Sequence, residues 1–103
     1  MWSRVTLVEI DPLRLDVDAA VEHFKREVVP GIRELDGYAG VGAFVTPDGR
    51  GMVMSFWDSE EAVQASAGFA AERVEQLMTV FAAPPGREHY EVVYLDLPAV
   101  TVG

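Results

Sequence analysis

Few side chains in this sequence are of types that do chemistry. The 103 residues include two histidines and no cysteine, so thiolate ligands, disulfides and cysteine nucleophiles are excluded. His89 stands two residues before Glu91, and on an extended chain both side chains leave one face. Imidazole exchanges protons near neutral pH, which makes His89 a candidate catalytic base toward an acidic phenol or enol. The plainer use of the same residue is a solvated position on a strand edge. His23 lies off the apolar stripe of its helix and is expected in solvent. The two histidines are far apart and lack neighbouring ligands, so they form no metal motif. Arg4 and Tyr94 are of types that orient an anionic or aromatic ligand, with surface ion pairing and core packing as the alternatives. Phe69 is a candidate pocket residue because it falls off the apolar stripe of its helix, unless a kink returns it to the core. No phosphate loop, nucleophile elbow or paired-carboxylate arrangement is present. Glu60 and Glu61 open a helix, and Glu72 and Glu75 form a solvated face.

The composition limits who the partners can be. Seventeen acidic residues against eight basic ones give a net charge of −9 with no basic cluster, which argues against nucleic acid and anionic membranes as partners. At 50% hydrophobic and 24% charged residues, the chain reads as one globular domain over residues 1–103. The opening MWSRVTLVEID carries charges throughout and has no apolar stretch of the length expected of a signal peptide, and no run approaches the roughly 20 apolar residues of a spanning helix. A cytoplasmic location is expected.

The elements that must position these residues follow from their patterns. Residues 2–10 are rich in β-branched and aromatic types and end at Asp11-Pro12, a turn signal. Asp16 and Asp18 mark a helix start. Val17, Val21, Phe24, Val28, Ile32 and Leu35 recur at helical spacing, with a kink expected at Pro30 and a stop at Asp36-Gly37. Strands are expected at 38–46 and 51–57, joined by the hairpin loop TPDGRG. Gly40 and Gly42 share a strand face and are read as relieving crowding there. Asp58 is the expected N-cap of the second helix, with Glu61 completing a capping box. Val63, Ala67, Ala70, Val74, Leu77 and Phe81 line that helix, with a kink expected near Ala67-Gly68. Residues 82–86 end it and 88–96 form a fourth strand; the apolar tail beyond is read as a strand that pairs only with a partner. The order βαββαβ predicts an α+β, ferredoxin-like antiparallel sheet with two helices on one face.

Two helices cover one face of such a sheet, yet the strands are apolar on both. The second offers Val41, Ala43 and Val45 on one side and Tyr38 and Phe44 on the other. The third offers Val53 and Trp57 against Met52, Met54 and Phe56, and the fourth Val93 and Leu95 against Tyr90, Val92 and Tyr94. At about 25 cal/mol per Å² of apolar surface, an uncovered face forfeits many kcal/mol. A homodimer that pairs the two open faces is therefore expected.

Phe24, VVPGIRELDGY at 28–38 and FWDSEEA at 56–62 resemble the antibiotic-biosynthesis-monooxygenase family of dimeric α+β barrels, with Asp36 where many members have Pro. The resemblance covers residues 2–96. It implies a pocket between helices and sheet for a small apolar or aromatic molecule, and cofactor-free oxygenation or haem degradation as the chemistry. Trp57 matches the pocket-lining Trp at the strand–helix junction; anchoring the second helix in the core is its other use. Haem-degrading members use an Asn on the first strand and a His on the second helix. This chain has no Asn and no His in 59–81. The resemblance therefore favours oxygenation without a cofactor, with His89 as base and Trp57, Phe69, Tyr94 and Arg4 around the ligand. A non-catalytic homodimeric ligand-binding or structural module is the alternative, and haem binding through His89 a weaker one.

Overall fold

The computed structural model describes residues 1–11, 13, 16–69, 72, 86–98 and 102. Strands β1 (Trp2–Glu9), β2 (Tyr38–Val45), β3 (Arg50–Trp57) and β4 (Gly86–Glu91) form one sheet in the order β2-β3-β1-β4. Every neighbouring pair is antiparallel. Together with the helical segments between the strands, this is the expected ferredoxin-like α+β arrangement.

The first helix starts where its sequence says. Asp16 is extended, and its side chain accepts a hydrogen bond from the Ala19 amide at 2.7 Å. Helix α1 (Val17–His23) then widens into a π-helical stretch, Phe24–Val28, before α2 (Val29–Arg33). Pro30 has no amide hydrogen to give the carbonyl four residues back. The chain compensates one residue earlier, where the Val29 amide reaches the Phe24 carbonyl. The expected kink at Pro30 is thus a widened turn ahead of it. Gly37, at φ 82°, turns the chain from the helix into β2.

The hairpin loop is built as expected. The Thr46 amide donates to the Arg50 carbonyl at 2.8 Å, and Gly49 has φ 93°. A side chain at Gly49 would press within 2.7 Å of the Ile10 carbonyl, while the Ile10 amide bonds the Gly49 carbonyl at 2.8 Å. The loop is therefore tied to the end of β1.

Helix α3 (Glu60–Ala65) is capped by Ser59, whose hydroxyl accepts from the Ala62 amide at 3.1 Å. The expected cap, Asp58, instead places its carboxylate against Gly37, and its amide bonds the Gly37 carbonyl at 2.9 Å. The helix breaks at Ser66 and resumes over 67–69, close to the kink expected at Ala67-Gly68. The stripe positions Ala70, Val74, Leu77 and Phe81, the helix end at 82–85 and the tail at 99–101 lie outside the described residues.

Two strand expectations are corrected. A bulge between Tyr38 and Gly40 turns Tyr38 to the side of Trp57, which its ring meets edge-on at 6.2 Å and 81°. β4 ends at Glu91 rather than 96. Its described ladder partner is β1, which begins at Trp2 opposite Glu91, and one further bond from the Val92 amide to the Met1 carbonyl exhausts it. Val93, Tyr94, Leu95 and Leu97 follow as exposed, irregular chain.

The core lies on the helix side, where Val28, Ile32, Trp57 and Val63 are buried with Trp2, Phe24, Leu35, Tyr38 and Phe69 packed around them. The other side is apolar too. Phe44, Met52 and Leu7 stand in one cross-strand row, and Phe56, Ser3 and Tyr90 in another. Leu7 and Phe44 are each 55% exposed. The Ser3 hydroxyl is buried between the flanking aromatics with no hydrogen-bond partner among the described residues.

Candidate functional site

The register of the sheet assembles the helix-facing side in rows. Val41, Ser55, Arg4 and His89 lie directly opposite one another across all four strands. Above them runs the row Tyr38, Trp57, Trp2 and Glu91; below them stand Ala43, Val53 and Thr6. Directly paired positions on antiparallel strands have side chains in contact range. On β2, β3 and β1 the polar row is therefore framed by aromatic rings on one side and small groups on the other, whereas on β4 His89 stands between the positions of Glu91 and Arg87.

Arg4 anchors this row. It is 4% exposed, and three nitrogens of its side chain donate within the protein. Nη1 bonds the Ser66 carbonyl at 3.0 Å and Nη2 the Val63 carbonyl at 2.5 Å. These carbonyls belong to the last turn of α3, where helices leave acceptors unmatched and where a cation is favoured. The Ser66 hydroxyl adds a bond to the Val63 carbonyl at 2.7 Å. The remaining nitrogen, Nε, donates to Nε2 of His89 at 3.2 Å.

His89 is exposed on β4, and Glu91 shares its face. Arginine has only donors, so Nε2 of His89 is the acceptor, and a neutral imidazole accepting there carries its proton on Nδ1. The lone pair that a base at Nε2 would use is engaged.

The other expected site residues fall in three places. Trp57, 1% exposed, sits in the core and donates from Nε1 to the Ser55 hydroxyl at 2.9 Å. Phe69 packs on the same core, its ring seated over Gly31 so closely that a Cβ there would lie 2.6 Å from Cζ. Tyr94 is 82% exposed beyond the last ladder pair and is not brought to the row. His23 is half-buried rather than solvated.

Sequence reading missed Ser55 and Ser66. Ser55 could have been found, since it lies two residues before Trp57 on the same strand and must share its face. Ser66 carried no local signal, because its role depends on Arg4 arriving from another element.

Among the described residues no group of three or more His, Asp or Glu side chains could hold a metal ion. The residues present do not fit haem either. The Nε2 of His89 is taken up by Arg4, and the sequence has no Asn or Cys. No helix among the described residues is long and apolar enough to cross a membrane.

No family model matches the sequence. It is 30% identical over 96 residues to the uncharacterized protein Rv2558 of Mycobacterium tuberculosis, covering 92% of this chain and 40% of that protein. The chain thus spans well under half the length of this curated relative. The solved monooxygenase from the ActVA-Orf6 gene of Streptomyces coelicolor, in complex with nanaomycin D, superposes with a TM-score of 0.73 at 23% identity, over 95% of this chain and 92% of that one. A structure assigned as an antibiotic biosynthesis monooxygenase from Deinococcus radiodurans gives 0.72 at 12% identity, over 97% and 100%. The haem degrader MhuD of M. tuberculosis gives 0.61 at 24%, over 95% and 100%. At these identities the likeness establishes the fold: this chain has the antibiotic-biosynthesis-monooxygenase fold.

Proposed function

We propose that residues 1–103 act as a single cytoplasmic domain, a homodimeric, cofactor-independent monooxygenase-like protein for a small apolar or aromatic molecule. The observation that carries this reading is the polar row Ser55, Arg4 and His89 on the side of the sheet that carries the core aromatics Trp2 and Trp57. The reaction that suits it starts from a phenolic or enolisable carbon acid. Loss of a proton leaves a carbanion in resonance with an oxyanion, and the buried charge of Arg4 favours that anion near His89. The anion reduces dioxygen, one C–O bond forms, and loss of water from the hydroperoxide leaves a carbonyl. The balance is a CH₂ group plus O₂ giving C=O and H₂O, with all electrons drawn from the substrate.

The dimer belongs to the same reading. The open face carries Leu7, Phe44, Tyr90, Met52, Met54 and Phe56, and a second copy is the simplest cover for it.

A second reading, a non-catalytic binding module, is favoured by one observation: Trp57 and Phe69, the expected pocket aromatics, both fill the core. Oxygen uptake separates the two. With dithranol, a phenolic anthrone, the enzyme reading expects uptake well above the spontaneous rate. Binding of dithranol without added uptake would leave only the module.

A further inference from the structure

We infer that the open sheet face docks a second copy of this chain with Glu88 in its carboxylic-acid form, so that pairing takes up protons and tightens as pH falls. This rests on the homodimer reading above and adds what regulates it.

The face is poor in charge. Three rows, marked on β1 by Ser3, Val5 and Leu7, cross four strands and so give twelve positions, of which only Glu88 carries a charge. In a chain with 24% charged residues, this is where copies of net charge −9 meet with least repulsion. A basic partner would be matched by carboxylates, and an anionic one by arginine or lysine. What matches this face is another apolar, nearly neutral one, and a second copy brings it.

Glu88 is exposed in the single chain and accepts a hydrogen bond from the Tyr90 hydroxyl. That bond also holds the Tyr90 phenol above its ordinary 10.0. Among the described residues no cation faces the carboxylate. Val5 stands opposite on β1, Met54 lies beyond it on β3, and Tyr90 and the Gly86 position flank it on β4. The Ser3 hydroxyl, diagonal to it, makes no hydrogen bond there. Arg87 occupies a position of the other face, opposite Thr6. Glu9 and Arg50 oppose each other in the row beyond Leu7, with Arg50 paired to Asp48 at 3.5 Å. The Met1 amine lies past the other end of β1. A second copy on this face takes the carboxylate out of water and leaves it one neutral donor. Burial of that kind disfavours the charged form and spares the acid form, which can donate in its turn. The paired state therefore holds more protons than the separate chains, so pairing strengthens as pH falls and weakens as it rises.

The test measures the dimer dissociation constant of the full chain by analytical ultracentrifugation, between about pH 5.5 and about pH 8. Sodium chloride at about 0.5 M screens the repulsion between two acidic copies, which would itself ease on acidification. The constant is expected to rise roughly tenfold or more across that range. In Glu88→Gln it should stay level and lie below that of the unaltered chain at the upper pH. Glu88 is exposed, so the substitution leaves the fold intact, which a far-ultraviolet spectrum checks. A constant that is level in the unaltered chain, or that rises equally in Glu88→Gln, overturns the inference and leaves the dimer standing. So does pairing that weakens on acidification, the mark of a cation brought to Glu88 by the second copy. A single-chain mass at every pH overturns the dimer reading and this inference with it.

Discussion

Arg4 and His89 lie 85 residues apart in the chain and face each other across β1 and β4, joined from Nε to Nε2 at 3.2 Å. The bond links the buried end of α3 to an exposed strand edge. Arg4→Ala should therefore act on both stability and the site. Two helix-end carbonyls lose a charged donor inside the protein, which costs about 3 kcal/mol, read from urea unfolding. A loss below about 1 kcal/mol would mean that these bonds resemble surface contacts.

Gly31 and Phe69 give a second expectation. Alanine in a helix is favoured over glycine by roughly 1 kcal/mol, but a Cβ at Gly31 would meet Cζ of Phe69 at 2.6 Å and Cε2 at 2.8 Å. Overpacking of this kind costs about 1–3 kcal/mol, so Gly31→Ala should destabilise the chain on balance. Adding Phe69→Leu should recover part of the loss. A more stable Gly31→Ala would show that the ring does not sit over this glycine.

In the hairpin loop, the Thr46 hydroxyl donates to the Asp48 carboxylate and holds its pKa below the ordinary 3.8, with the nearby Arg50 guanidinium adding to the effect. A carboxylate depressed in the folded state adds stability above its unfolded value, and that stability is lost as pH falls through the folded one. Thr46→Val should move the Asp48 titration upward, seen in its carboxyl carbon shift, and flatten the acid limb of the stability profile. An unchanged titration would remove the hydroxyl as the cause.

How much of this was legible beforehand depended on range. The turn at Pro47-Asp48-Gly49 and the helix start at Asp16 were readable because their causes are local: a fixed φ, a positive φ, acidic side chains at the positive end of a helix. The capping-box pattern pointed to Asp58 at the start of α3, but Asp58 is drawn to Gly37 and the adjacent Ser59 caps instead. The side taken by Tyr38 escaped the alternation count because a bulge adds a residue that the period cannot see. The end of β4 is set by where β1 begins, a fact about another strand. His89, Arg4 and Trp57 could each be singled out by type, but only the register between distant strands brings Arg4 to His89 and leaves Tyr94 outside.

The open sheet face carries its own expectation. Light scattering at micromolar concentration should return the mass of two chains, and Leu7→Glu, an exposed position on that face, should return one with the far-ultraviolet spectrum retained. A single-chain mass for the unaltered protein, free of aggregation, would contradict the dimer.

The most direct measurement follows the oxygen atom. Dithranol is incubated with the protein under heavy-oxygen-labelled dioxygen, and the quinone product is weighed by mass spectrometry against a His89→Ala control. Label in the new carbonyl, formed well above the spontaneous rate and falling to that rate in the variant, is the expected result. Product formed no faster than without protein, or at the same rate in His89→Ala, would contradict oxygenation at the Arg4–His89 pair.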